Sequence, residues 1–149
     1  MNKKIRKYVF ETNSSSVHTL SISKDGIEPS NFILDKEGYL HTDFGTFDKS
    51  YNLFNSQYEK LSYLITLCYY CVGFNLEDIR NSYQFKYIEN AIKKHTGCLG
   101  IIIDGLEEPC IDHQSQPDYG EIEIINIYDE DEIINFVFNK YISLKTDCD

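Results

Sequence analysis

The spacing of apolar residues changes along the chain, from strand-like alternation near the start to helical steps after residue 54. The run "YVFET", residues 8–12, is apolar enough for a short strand. In "VHTLSIS", residues 17–23, His18, Leu20 and Ile22 fall on one face and Val17, Thr19 and Ser21 on the other. "KDGIEPSN" holds Gly26 and Pro29 and reads as a turn. "FILD" and "YLHT", split by the Gly-containing "KEG", predict a β-hairpin. The first part therefore predicts a small antiparallel sheet.

Helical periodicity follows. Ser56 and Glu59 form a capping box, S-x-x-E, ahead of Leu61, Ile65, Cys68 and Val72. Phe54 and Tyr58 extend that stripe, and Gly73 is a suitable stop. A second helix is predicted from about Ser82 to His95, with Tyr87, Ile88, Ala91 and Ile92 as its apolar face. Gly97 ends it, and Lys93, Lys94 and His95 suit its negative C-terminal end. "CLGIIID" reads as a central buried strand. A loop with Pro109 and Pro117 follows, and "EIEIINIYD" offers another strand. Asp129 then caps a last helix, with Ile133, Ile134, Val137, Phe138, Tyr141 and Ile142 as its stripe. The expected architecture is α+β: a small antiparallel sheet with about three helices packed mainly on one face, in one domain spanning 1–149.

Length and composition agree with one folded domain, since 149 residues with 42% hydrophobic content can bury a real core. The net charge of -10 is unevenly placed. Residues 1–75 carry 8 Lys+Arg against 8 Asp+Glu, whereas residues 76–149 carry 6 against 16. From Asp104 to Glu132 there are 11 acids and no base. Glu130, Asp131 and Glu132 fall on a helical first turn, where the helix dipole favours them. With Glu121 and Glu123, Glu130 and Asp131 form a candidate surface for a basic partner. Lys3, Lys4, Arg6 and Lys7 give the opposite charge near residue 1.

The five cysteines are an odd number, and the CxxC of Cys68 and Cys71 lies inside a helical apolar pattern. They are expected to be buried thiols in a reducing compartment, not a metal or redox site. Met1–Lys7 has no apolar stretch behind its charges, so no secretory signal is expected, and no apolar run suits a membrane span. The expected location is the bacterial cytoplasm, with no cofactor and no metal. P-loop, dinucleotide, zinc-finger, kinase and helix-turn-helix signatures are missing.

Two segments could carry chemistry. If Ser14–Ile22 is extended, Ser14, Ser16 and His18 share one face. The G-x-S-x-G elbow is absent, which argues against a serine hydrolase. The second is "DHQS", Asp112–Ser115, in a Pro-bounded loop just past the buried strand; Asp112 would raise the pKa of His113. A pair of imidazoles, His18 and His113, can cleave RNA without a metal. One removes the 2′-hydroxyl proton and the other protonates the leaving oxygen. Arg6 would stabilise the extra phosphate charge, with Asn13, Ser15 and Ser115 as further phosphate or substrate contacts. His95 suits a helix C-terminus instead, and His41 falls in the expected hairpin.

"RKYVFETNSSSVHTLSI" resembles the N-terminus of a loosely defined set of small proteins from phages, mobile elements and low-GC Gram-positive bacteria. Those proteins open with an Arg, then "VFETNSSS", one variable residue, and "HS" or "HT"; a downstream Asp-His-Gln-Ser is similar too. Here the match spans residues 6–22 and Asp112–Ser115, with Val17 and Thr19 flanking His18. The resemblance implies a genomic setting of conflict with host defences, including anti-CRISPR roles. It marks Arg6, Glu11, Asn13, Ser14, Ser15, Ser16, His18, Asp112 and His113 for testing. Beside a structural domain whose motif is purely architectural, two functions are expected. One is metal-independent phosphodiester or nucleotide chemistry on RNA or a nucleotide. The other is a non-catalytic acidic inhibitor that docks on the basic nucleic-acid groove of a host protein.

Overall fold

The helix at the centre of the molecule begins where the sequence places it. In the computed structural model, which describes residues 17–18, 25–47, 52–73, 75–111 and 128–146, α1 spans Gln57–Val72. The Ser56 side chain accepts from the Glu59 N–H at 3.0 Å, and Glu59 accepts from the Ser56 N–H at 3.2 Å. This reciprocal capping satisfies two amides that the helix itself cannot pair. Gly73 closes the helix at φ +150°, a conformation an L side chain resists. Leu61, Leu64, Ile65, Leu67 and Cys68 are buried. Each such aliphatic side chain contributes about 1.5–3 kcal/mol relative to exposure.

A short helix, α2 (Leu76–Arg80), has no counterpart in the periodicity; Asn75 caps it by accepting from Glu77 and Asp78 N–H groups. α3 (Tyr83–Thr96) starts at Ser82, which accepts from the Phe85 N–H at 3.1 Å, and ends at Gly97 with φ +79°. Its buried face is Phe85, Ile88, Ala91 and Ile92. Phe85 takes the inward position, and Tyr87, expected there, lies at the surface edge-on to Tyr128 at 5.1 Å. α4 (Glu130–Phe138) is capped by Asp129, which accepts from the Asp131 N–H at 3.0 Å. The helix ends before the expected stripe does: Ile133, Ile134, Val137 and Phe138 are buried within it, and past its end Ile142 is buried too, whereas Tyr141 is exposed. α4 packs on α3 and α1, and the three share one apolar core with the strands.

The α+β class holds, but the strands are not one antiparallel sheet. β2 (Tyr39–Thr42) runs parallel to β5 (Gly100–Ile103), pairing Tyr39 with Gly100 and Thr42 with Ile103. β3 (Thr46–Phe47) runs parallel to β6 (Cys110–Ile111). Among the described strands, β1 (Val17–His18), β7 (Leu144–Thr146) and β4 (Asn52–Phe54) form the antiparallel set, in the order β1–β7–β4. The hairpin expected from "FILD-KEG-YLHT" is absent because its first arm finds other partners. The Asn31 and Ile33 N–H groups donate to the Gln57 and Tyr58 side chains of α1. Phe32 packs edge-on against Tyr58 and Phe138, at 4.7 and 5.7 Å. The turn itself forms, and it belongs to β2 alone. The expected strands at residues 8–12 and 121–129 lie outside the described residues apart from Tyr128 and Asp129.

Cys68 is buried, as expected, whereas Cys71 is only half-buried; neither is in a disulfide. Burial pushes the Cys68 thiol well up and the Cys71 thiol up to about 12, so neither supplies a reactive thiolate. No helix among the described residues is long and apolar enough to cross a membrane.

Candidate functional site

The alternation of β2 turns Leu40 and Thr42 inward and Tyr39 and His41 outward. Because β5 runs parallel, the ends of both strands lie on one side, a common place for ligand-facing groups in parallel sheets. There two aspartates continue the strands: Asp43 after β2 and Asp104 after β5.

His41 sits between two carboxylates. Its Nδ1 is 2.8 Å from Asp104 Oδ1, and its Nε2 is 2.8 Å from Asp35 Oδ2. The hydrogen bond to Asp104, then that to Asp35, raises the imidazole pKa above its ordinary value. Asp35 is itself fixed, because its other oxygen accepts from the Tyr39 and Glu37 N–H groups, each at 2.9 Å. The Tyr39 amide, with His41 assisting, lowers the Asp35 pKa.

Asp43 braces the neighbouring loop. Its carboxylate accepts from Gly105 at 3.0 Å, Leu106 at 2.8 Å and Glu107 at 3.2 Å, and from its own neighbour Phe44 at 2.8 Å. Gly105 has φ +72°, which lets the chain turn its amides toward that carboxylate. The result is a rim of fixed carboxylates, Asp35, Asp43 and Asp104, with Glu37, Glu107 and Glu108 exposed around them.

Chemically this cluster is a charge-paired clamp. The two imidazole nitrogens point away from each other, so the two aspartates do not converge on a common ion. Among the described residues no group of three or more His, Cys, Asp or Glu is arranged to hold a metal. His95, the other imidazole described in full, has Nε2 2.9 Å from the Glu28 carbonyl and its ring stacked on Phe138 at 4.0 Å.

Arg6, Asn13, Ser14, Ser15, Ser16, Asp112, His113, Ser115, Glu121 and Glu123 lie outside the described residues. His18 is placed by its backbone alone, opposite Lys145 in the β1–β7 pair. β6 ends at Ile111, immediately before Asp112. Of the expected acidic surface, Glu130 and Asp131 are described. Lys94 lies 3.8 Å from Glu130 and 4.0 Å from Asp131, so part of their charge is answered within the molecule.

Sequence reasoning passes over His41 because the expected hairpin absorbs it. The signal is present in pieces: an outward position on an alternating strand, an Asp six residues before it, and an Asp closing the buried run "GIII". What joins them is the β2–β5 pairing, which links residues about sixty positions apart. Comparison of the chain with family models, curated proteins and solved structures finds no match.

Proposed function

We propose that this chain is an accessory protein of phage or mobile-element type that works by binding, docking an acidic face on the basic nucleic-acid-binding surface of a host protein. The observation that carries this reading is the carboxylate rim. The segments 35–43 and 104–108 hold six acids against Lys36 and the clamped His41. Asp35, Asp43 and Asp104 are already fixed by backbone amides or by His41. Charges fixed before binding lose less side-chain freedom on association, and complementary charge speeds encounter and excludes wrong partners. The acid-rich stretch from Asp104 to Glu132 extends the same sign. The resemblance of residues 6–22 to phage and mobile-element proteins supports the counter-defence setting.

The catalytic alternative assigns acid and base to His18 and His113 and rests on sequence alone. The two fully described imidazoles are engaged in internal contacts, which favours binding over proton transfer at their positions.

The experiment captures host proteins on the tagged chain at about 0.05 and about 0.5 M salt, and repeats this with Glu37→Lys, Glu107→Lys and Glu108→Lys combined. Docking through the rim predicts at least a tenfold loss of capture with salt and with charge reversal, since exposed charges are screened over about 10 Å at 0.1 M. The double variant His18→Ala plus His113→Ala should keep full capture and full biological effect. Capture indifferent to salt and to charge reversal refutes the docking reading. An effect abolished by the double histidine variant, with capture intact, supports catalysis instead.

A further inference from the structure

We propose that Asp35, His41 and Asp104 form a proton-operated latch across the β2–β5 pair, and that its Asp104 arm opens when the imidazole loses its proton. Donor arithmetic decides which form of the ring closes the clamp. An imidazolium has two N–H groups and can donate to both carboxylates; a neutral imidazole has one. Both contacts are 2.8 Å, so the closed clamp requires the protonated ring.

Which arm opens follows from how each aspartate is held. Asp35 is locked by the Glu37 and Tyr39 amides, leaving its Oδ2 aimed at Nε2. A bare Nε2 lone pair facing that fixed carboxylate would be repelled, so the remaining proton belongs on Nε2. Among the described residues Asp104 has His41 as its one side-chain contact, and its side chain is 37% exposed, so it can rotate into water. The loop beyond it stays in place, because Asp43 still holds the Gly105, Leu106 and Glu107 amides. The opening is therefore a side-chain event, and its product is one more free carboxylate on the rim.

The described surroundings contain no competing base at the ring. Asp35 faces it from the turn before β2 and Asp104 from the segment after β5. Lys36 and Glu37 lie in the turn, Tyr39 projects from the same outward face, and Asp43 is occupied by the neighbouring amides. Arg80 of α2 reaches the Ile103 carbonyl at 3.4 Å, beside Asp104. α1 packs against β2, whose buried residues are Leu40 and Thr42. The raised imidazole pKa agrees with this geometry. Its contribution to stability is full below the ordinary histidine pKa and is lost as pH rises through the raised one. The latch needs only the clamp and does not depend on the rim docking to a partner.

The test is a pH titration of the 15N-labelled wild-type chain by long-range 1H–15N NMR, which reads both the midpoint and the tautomer of His41. The expected result is a midpoint above the ordinary 6.5, a neutral form protonated on Nε2, and an Asp104 carboxyl 13C shift that moves with the same midpoint. Asp104→Asn should lower the midpoint. A midpoint at or below 6.5, or a neutral form protonated on Nδ1, overturns the proposal. Both of those outcomes are read on the wild type, so neither depends on how well the variant folds.

Discussion

The least expected charge in the core is Lys60, and replacing it with methionine gives a prediction with a built-in control. Its side chain is 1% exposed, and its amine donates to the Asn139 and Ile142 carbonyls at 2.9 Å each. Those carbonyls follow the end of α4, whose C-terminal partial charge favours a cation. Burial nevertheless lowers the amine pKa from 10.5 to about 8. Between those values the unfolded chain holds a proton that the folded chain has released, so Lys60 makes stability rise with pH. One pH unit inside that window is worth about 1.4 kcal/mol, and pH 7 to 9 crosses about one such unit. At pH 7, Lys60→Met removes both hydrogen bonds. The Asn139 carbonyl keeps the Ile142 N–H at 3.1 Å, whereas the Ile142 carbonyl loses the amine. A buried carbonyl left without its donor costs about 1–3 kcal/mol, and removing a charge whose burial costs a comparable amount offsets it, so the net change at pH 7 is expected to be small. Urea denaturation of wild type and variant at pH 7, 8 and 9 gives the difference directly. The thiols of Cys68 and Cys71 destabilise both proteins alike as pH rises, because the unfolded chain ionises them first, and they cancel in the comparison. The wild type should gain about 1 kcal/mol over Lys60→Met between pH 7 and 9. A pH-independent difference refutes the assignment of Lys60 as a charge buried at real cost.

Two further substitutions check the packing and the loop brace. The Tyr63 hydroxyl is buried with no hydrogen-bond partner among the described residues, its ring edge-on to Phe47 at 5.0 Å. Tyr63→Phe should therefore leave the melting temperature unchanged or raise it, by up to about 1–2 kcal/mol of stability, and a clear fall would reveal a partner for the hydroxyl. Asp43→Ala removes the acceptor for Gly105, Leu106 and Glu107, so those amides should exchange with deuterium faster at a cost of about 1–2 kcal/mol, while α1 amides respond only to the global change.

Local chemistry is legible in this sequence and long-range pairing is not. Ser56 with Glu59, Ser82, Gly97 and Asp129 mark helix ends through contacts within four residues, so the sequence displays cause and partner together. The strand "YLHT" is equally visible, but its partner is not, because β5 follows three intervening helices. The first arm of the supposed hairpin has the residues of a strand, yet Tyr58 takes its Ile33 amide and Gln57 the Asn31 amide just before it. Tyr87 misleads for a related reason: helical spacing admits either Phe85 or Tyr87 beside Ile88, and it is Phe85 that the fold buries. The clamp requires the β2–β5 register to bring Asp104 to His41, and no motif spans that separation. The charge asymmetry is readable, but the pairing of Lys94 with Glu130 and Asp131 needs the α3–α4 contact.

The Ile101 N–H donates to Glu89 at 2.9 Å, and the Ile103 carbonyl accepts from Arg80 at 3.4 Å. A two-stranded parallel pair is short of neighbours, and bare main-chain groups along its border invite a foreign strand to join. Here side chains from α2 and α3 occupy two of those groups, one donor and one acceptor, so a strand added along β5 would have to displace Glu89 and Arg80 to pair there. That cost disfavours recognition by strand addition on this side of the pair, and self-association through it.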